Sequence, residues 1–268
     1  MLWNAKDGCA RFDGAEMDYV RFGSGEKHLV LLPGLSDGLA TVKGKALLLA
    51  PPYRLFFDKY TVWMFSRRRD LPRGFSIRDM AADQAAALRS LGIEKTAVLG
   101  VSQGGMVAQV LAAEYPELVE KFVLAVSAPC ANDTSRARLR DWMAFAEKGD
   151  HKALMINTAE NSYSEPHLKK YRKVYPFLGA VGKPKSYDRF LANAEAILSF
   201  DAREELGGIA CPTLVIGGGE DRIVSPSAAE ELHALIPGSE LYIYPELGHA
   251  AYEEAGDFNE RVYRFLEG

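Results

Sequence analysis

The chain has 268 residues, 48% of them hydrophobic and 25% charged, with a net charge of −4 at pH 7 and a sequence pI near 5.8. That is long enough for one large or two small α/β domains with a substantial core, and the acidic balance argues against a nucleic-acid binder. Cys9, Cys130 and Cys211 are odd in number and far apart, which excludes a disulfide framework and a Cys-x-x-Cys metal or redox site.

The first residues, Met1–Asp7, lack the apolar core of a signal peptide, and the apolar run Ala46–Pro52 falls well short of the roughly 18 residues a membrane span needs. A soluble, cytosolic chain is expected. Cys9–Phe12 and Met17–Phe22, joined by Asp13-Gly14, read as a hairpin. Leu29–Leu32 reads as a buried strand stopped by Pro33-Gly34, and Tyr60–Phe65 as another. The basic run Arg67-Arg68-Arg69, followed by Asp70, reads as a solvated turn. A helix is expected from an N-cap at Ser76 to Leu91, ended by Gly92. Thr96–Leu99 reads as a strand, followed by Gly100–Gly105 and a helix from Met106 to about Tyr115. Lys121–Ser127, Thr213–Ile216 and Leu241–Tyr244 read as further strands, and Phe258–Leu266 as a closing helix. Short apolar runs alternating with helical patterns are the signature of a parallel sheet with crossover helices. The stretch 133–200 breaks the rhythm: it is helical in pattern, rich in Lys, Arg and Tyr, and shows no strand. It reads as an insertion over the carboxyl ends of the strands.

Gly100-Val101-Ser102-Gln103-Gly104 fits the G-x-S-x-G nucleophile elbow in the required strand–turn–helix context. So tight a turn forces strained angles on the serine, and a Cβ two residues to either side would collide with neighbouring chain. The serine oxygen is thereby lifted clear of the sheet, above a helix N-terminus that favours developing negative charge.

On these residues the chain resembles the α/β-hydrolase superfamily over nearly its whole length, the helical insertion matching least. The resemblance implies a mostly parallel, twisted sheet of about eight strands with helices on both faces. It divides the chain into a core of residues 1–132 and 201–268 and a cap of 133–200. It also implies a triad in the chain order serine, acid, histidine. Ser102 is the nucleophile. In Gly217-Gly218-Gly219-Glu220-Asp221-Arg222-Ile223-Val224-Ser225-Pro226 the acid matches Asp221, with Glu220 the competing neighbour. Read by itself, Asp221 is also placed to cap the helix after Pro226. His249, in Leu247-Gly248-His249-Ala250 after the last strand, is the base; His28, His151, His167 and His233 have no such context. The oxyanion hole would be the backbone N–H groups of Gln103 and Leu35, the latter in the loop Pro33–Gly38.

Two stretches depart from the family pattern. Pro33-Gly34 stands where many relatives carry His-Gly, which leaves the loop shape open, and Ser66–Ser76 keeps only the Arg, Gly and Ser ending of the loop common in relatives. Ser102 sets the chain apart from the branches with an aspartate nucleophile, and Gln103 from the proline iminopeptidases. Trp142, Met143, Phe145, Met155, Tyr163, Tyr171, Tyr175 and Phe177 are candidates to line an acyl pocket, or to pack the cap on the core. The expected reaction is carboxylic ester hydrolysis through an acyl-enzyme on Ser102, with no cofactor or metal and a small-molecule ester as partner. The same triad would serve C–C bond hydrolysis, thioester hydrolysis or perhydrolysis, or a ligand receptor that turns over slowly. Substrate and oligomeric state are not legible.

Overall fold

The computed structural model describes residues 2–179 and 182–268. In chain order the elements are β1 (Lys6–Phe12), β2 (Ala15–Phe22), β3 (Lys27–Leu32), α1 (Ala46–Leu49), β4 (Tyr60–Arg68), α2 (Ile77–Ser90), β5 (Thr96–Val101), α3 (Gln103–Glu114) and β6 (Val119–Ala125). Then come α4 (Asp133–Glu147), α5 (His151–Ser162), α6 (Glu165–Tyr171), α7 (Asp188–Leu198), β7 (Thr213–Gly218), α8 (Ala228–Leu235), β8 (Glu240–Tyr244), α9 (Ala251–Glu254) and α10 (Phe258–Glu267). The strands form one eight-stranded sheet in the order β1-β2-β4-β3-β5-β6-β7-β8. Only β2 runs against the others: it pairs antiparallel with both β1 and β4, and every remaining pair is parallel. This is the expected α/β-hydrolase sheet.

The inner strands are apolar along their length because both faces are covered. Val30, Val98 and Leu124 pack into one buried cluster with α2 and α3, and Leu29, Leu99 and Val123 into a second cluster with α10 on the opposite face. Ser76 caps α2 with a capping box completed by Asp79, and Gly92 ends the turn after it at φ 70°. Helix α3 starts at Gln103 rather than Met106, since Gly104 and Gly105 are needed for close approach and not to break the helix.

Residues 133–200 contribute no strand to the sheet among the described residues. The chain leaves and returns to the sheet through one short crossing. There Cys130 and Asp201 form an antiparallel bridge, Ala131 N–H donates to Phe200 O at 3.1 Å, and Ala202 N–H donates to Pro129 O at 2.9 Å. No helix among the described residues is long and apolar enough to cross a membrane.

The arginine run is not a solvated turn. Arg67 and Arg68 close β4, and Arg67 is 4% exposed. Arg69 is held by Glu16 and by both oxygens of Asp18. The three guanidinium groups are drawn onto the fold by partners distant in sequence: Arg67 donates to the Pro33 carbonyl, Arg68 pairs with Asp83 on α2, and Arg69 with the two carboxylates on β2, which sequence spacing does not reveal.

Candidate active site

Strand β5 lies near the middle of the sheet, and its carboxyl end delivers Ser102 at φ 53° and ψ −119°. A backbone held there costs on the order of 1–3 kcal/mol and persists only where its surroundings over-determine it. Those surroundings are visible. Ser102 N–H donates to Ala125 O at 2.9 Å, and Ser127 Oγ donates to Ser102 O at 2.9 Å. A Cβ on Gly104 would lie 1.9 Å from Leu32 O, and one on Gly100 would lie 2.6 Å from Gly105 Cα. The elbow is therefore clamped between the end of β3 and the start of α3.

Asp221 follows β7 and His249 follows β8, so both arrive at the same carboxyl edge as Ser102. His249 Nδ1 lies 2.8 Å from Asp221 Oδ2, and His249 Nε2 lies 2.9 Å from Ser102 Oγ. With Nδ1 donating to the carboxylate, Nε2 is left to accept the serine hydroxyl proton. Asp221 is 2% exposed and His249 8%. A buried carboxylate is costly without donors, and Asp221 has them: its Oδ1 accepts the N–H groups of Ile223 at 2.8 Å and Val224 at 2.9 Å. It therefore does not cap α8, which starts at Ala228. Gly248 fits because a Cβ would lie 2.7 Å from Ser162 O, and Ala250 N–H donates to that same oxygen at 2.9 Å.

Gln103 opens α3, so its N–H has no partner within its own helix. Its side chain is buried, with Nε2 donating to Asn193 O on α7 at 3.0 Å. Leu35 is buried in the loop after β3, next to Gly34, whose Cβ position would be 3.2 Å from Ser102 Cβ. Both expected oxyanion donors thus belong to segments that flank Ser102.

The remaining histidines lie elsewhere. His28 in β3 accepts from Trp63 Nε1 at 3.1 Å, His151 is buried in α5, His233 in α8 contacts Ser239 Oγ at 2.9 Å, and His167 stacks between Tyr163 and Tyr171. Glu220 lines a groove of about 500 Å³ with Tyr163 and Leu247, and the histidine is joined by its neighbour Asp221 instead.

Sequence reasoning missed the support of the loop after β3, where an oxyanion donor is expected. Arg67 Nη2 donates to Pro33 O at 2.8 Å. Asp37, 2% exposed, accepts Arg67 N–H at 2.9 Å and Arg189 Nη2 at 2.7 Å, both on Oδ2. Arg189, on α7, also donates to Arg67 O and Arg68 O. The relevant sequence signal was an aspartate in an otherwise apolar, glycine-bearing loop.

A cavity of about 180 Å³ adjoins the loop and the elbow, touching Pro33, Gly34 and Val101, with Tyr53, Tyr252 and Glu253 in its wall. None of the eight aromatic and methionine side chains expected for an acyl pocket lines it. Trp142 is instead buried against the core and donates to Asn157 Oδ1 at 2.9 Å, while Tyr171 and Phe177 face solvent.

A model of the alpha/beta hydrolase fold family matches residues 27–256. Serine hydrolase BPHL of Mus musculus is 28% identical over 268 aligned residues, covering 95% of this chain and 84% of the relative. A pimeloyl-[acyl-carrier protein] methyl ester esterase of Neisseria meningitidis is 29% identical over 71% of this chain and 75% of its own length. Among solved structures, the enol-lactonase of Burkholderia xenovorans LB400 superposes with a TM-score of 0.80 at 21% identity, covering 97% of this chain and all of that one. With the family match running from β3 to α9, and with the sheet order and strand-end loops described above, the chain belongs to the alpha/beta hydrolase fold family.

Proposed function

We propose that the protein is a serine hydrolase that cleaves a carboxylic ester through an acyl-enzyme on Ser102. The observation that carries this reading is the unbroken hydrogen-bonded chain Asp221–His249–Ser102, with links of 2.8 and 2.9 Å, at one edge of the sheet. His249 Nε2 takes the proton as Ser102 Oγ attacks the carbonyl carbon, and Asp221 keeps the imidazole in the required tautomer and stabilises the imidazolium. The backbone N–H groups of Leu35 and Gln103 receive the negative charge of the tetrahedral intermediate; one such donor is worth on the order of 3 kcal/mol in the barrier. His249 returns its proton to the leaving alcohol, which departs. Water then enters, gives up a proton to His249 and attacks the acyl carbon, releasing the acid and restoring Ser102.

Residues 133–200 act in this reading as a cap over the site, tied to the oxyanion loop through Arg189 and to the His249 loop through Ser162. The names of the methyl ester esterase and the enol-lactonase, both enzymes of ester bonds, support an ester substrate. The test is turnover of p-nitrophenyl esters from acetate to dodecanoate by the wild type and by Ser102→Ala. Sustained release by the wild type, lost in the variant, is expected, with a preference for the shorter acyl chains that a cavity of about 180 Å³ admits. Absence of Ser102-dependent turnover across the series would overturn the ester reading.

A further inference from the structure

The cavity beside the elbow has a chemical character that ester cleavage by itself does not require. Leu99 and Met64 give it an apolar, buried side, and the exposed residue Glu253 and the side chains of Tyr53 and Tyr252 stand in the same wall. Glu253 makes no ion pair with any described Lys, Arg or His; one of its oxygens accepts the phenol O–H of Tyr163. It lies four residues after His249, on the short helix α9 that follows the His249 loop. Tyr53 and Tyr252 titrate above the ordinary phenol range, Tyr53 at about 12, chiefly through burial and then through the negative charge of Glu253. Two neutral phenol rings and a carboxylate thus wall a space of several water volumes, and Pro33, Gly34 and Val101 bring that space against the elbow.

We propose that Glu253, Tyr53 and Tyr252 form a subsite for a cationic group of the substrate, an alkylated or primary ammonium. The carboxylate supplies the counter-charge, and the ring faces attract the cation by their quadrupoles. An anionic group at the same place would meet the like charge of Glu253. Its neighbour Glu254 is committed outside the cavity, to Ser164, whose N–H donates to it at 2.9 Å, and stands 3.6 Å from His167 Nδ1. The subsite gives the proposed esterase a preference for esters with a positive charge a few bonds from the carbonyl, and this part of the inference rests on the ester reading.

Two measurements keep the inference and that reading apart. In the first, the wild type is titrated calorimetrically with choline and with its neutral isostere 3,3-dimethylbutan-1-ol. Choline is expected to bind about tenfold or more tightly than the alcohol, with a preference that shrinks at high salt and in Glu253→Gln. Equal affinity, no detectable choline binding, or a preference untouched by Glu253→Gln and by Tyr252→Leu would overturn the subsite, whatever the esterase assay returns. In the second, kcat/KM is compared for acetylcholine against 3,3-dimethylbutyl acetate, and for ethyl 4-(trimethylammonio)butanoate against ethyl 5,5-dimethylhexanoate. A cationic preference of about tenfold in one pair, falling toward unity in Glu253→Gln, is expected. If only the neutral esters turn over, the subsite fails and the esterase stands; if choline binds but no ester turns over, the esterase fails and the subsite stands.

Discussion

At the scale of single residues, the site depends on what a buried carboxylate can hold in place. Asp221 divides its oxygens between two tasks: Oδ1 is fixed by two backbone N–H groups, so Oδ2 is presented to the imidazole at 2.8 Å in one orientation. Asp221→Asn keeps the shape but offers an amide where a carboxylate is needed, so the imidazole loses the partner that selects its tautomer. On the mechanism proposed here, kcat for a p-nitrophenyl ester falls about 10⁴-fold in Asp221→Asn, while thermal unfolding shows the variant still folded. An Asp221→Asn enzyme with kcat within tenfold of the wild type would remove Asp221 from the mechanism. The glycines act by a different physics. Gly104 and Gly248 are defined by backbone oxygens that a methyl group would overlap, those of Leu32 and Ser162, and not by a need for positive φ.

Among elements, the most informative connection runs from α7 to the loop after β3. Arg189 reaches across from α7, in the segment proposed as the cap, and ends on Asp37 and on the carbonyls of β4, so one side chain holds the cap helix, the oxyanion loop and the strand next to it. Asp37 is 1% exposed at its side chain and Arg189 17%, so Arg189→Ala strands a buried carboxylate. A loss of about 3 kcal/mol in unfolding free energy is expected by urea titration, together with a lower kcat/KM as the Leu35 N–H loses its fixed position. Unchanged stability would show that Asp37 is served by Arg67 alone. This network also marks where the sequence stopped being informative. Strands β3, β5 and β7, helix α2 and the elbow could be read from local patterns, because apolar runs, a Ser76 cap and close-set glycines act over a few residues. The triad was legible through its chain order and loop context, because each member directly follows a strand. Arg67, Arg189 and Glu253 were not. Their partners lie 34, 152 and 90 residues away, at Pro33, Asp37 and Tyr163, and composition at one position says nothing about contacts at such separations. The same distance effect misassigned the arginine run, whose carboxylate partners sit on β2 and α2.

Across the whole molecule, the closing helix is tied back to the first half of the chain by Glu267 at the end of α10. Its carboxylate accepts Lys27 Nζ at 3.0 Å and the Tyr60 O–H at 2.8 Å, and also pairs with Lys59, so the closing helix is anchored to the starts of β3 and β4. These donors, the Lys59 ammonium first, hold the Glu267 carboxyl down at about 2, against an ordinary value of 4.5. Between those two values the unfolded chain binds a proton that the folded chain does not, so stability rises with pH across the window. The contribution is complete above about pH 4.5 and is lost as the pH falls toward about 2. Glu267→Gln removes the titrating group and keeps a side chain that still fits between the lysines. The variant is expected to be less stable than the wild type at pH 7, and the difference in melting temperature should close steadily as the pH falls from about 4.5 toward about 2. A gap that stays constant over that range would mean that Glu267 acts by shape alone. The lysines are about half exposed, so added salt should narrow the gap at pH 7 and raise the pH by which it has closed, since screening lets the folded-state carboxyl titrate nearer its ordinary value.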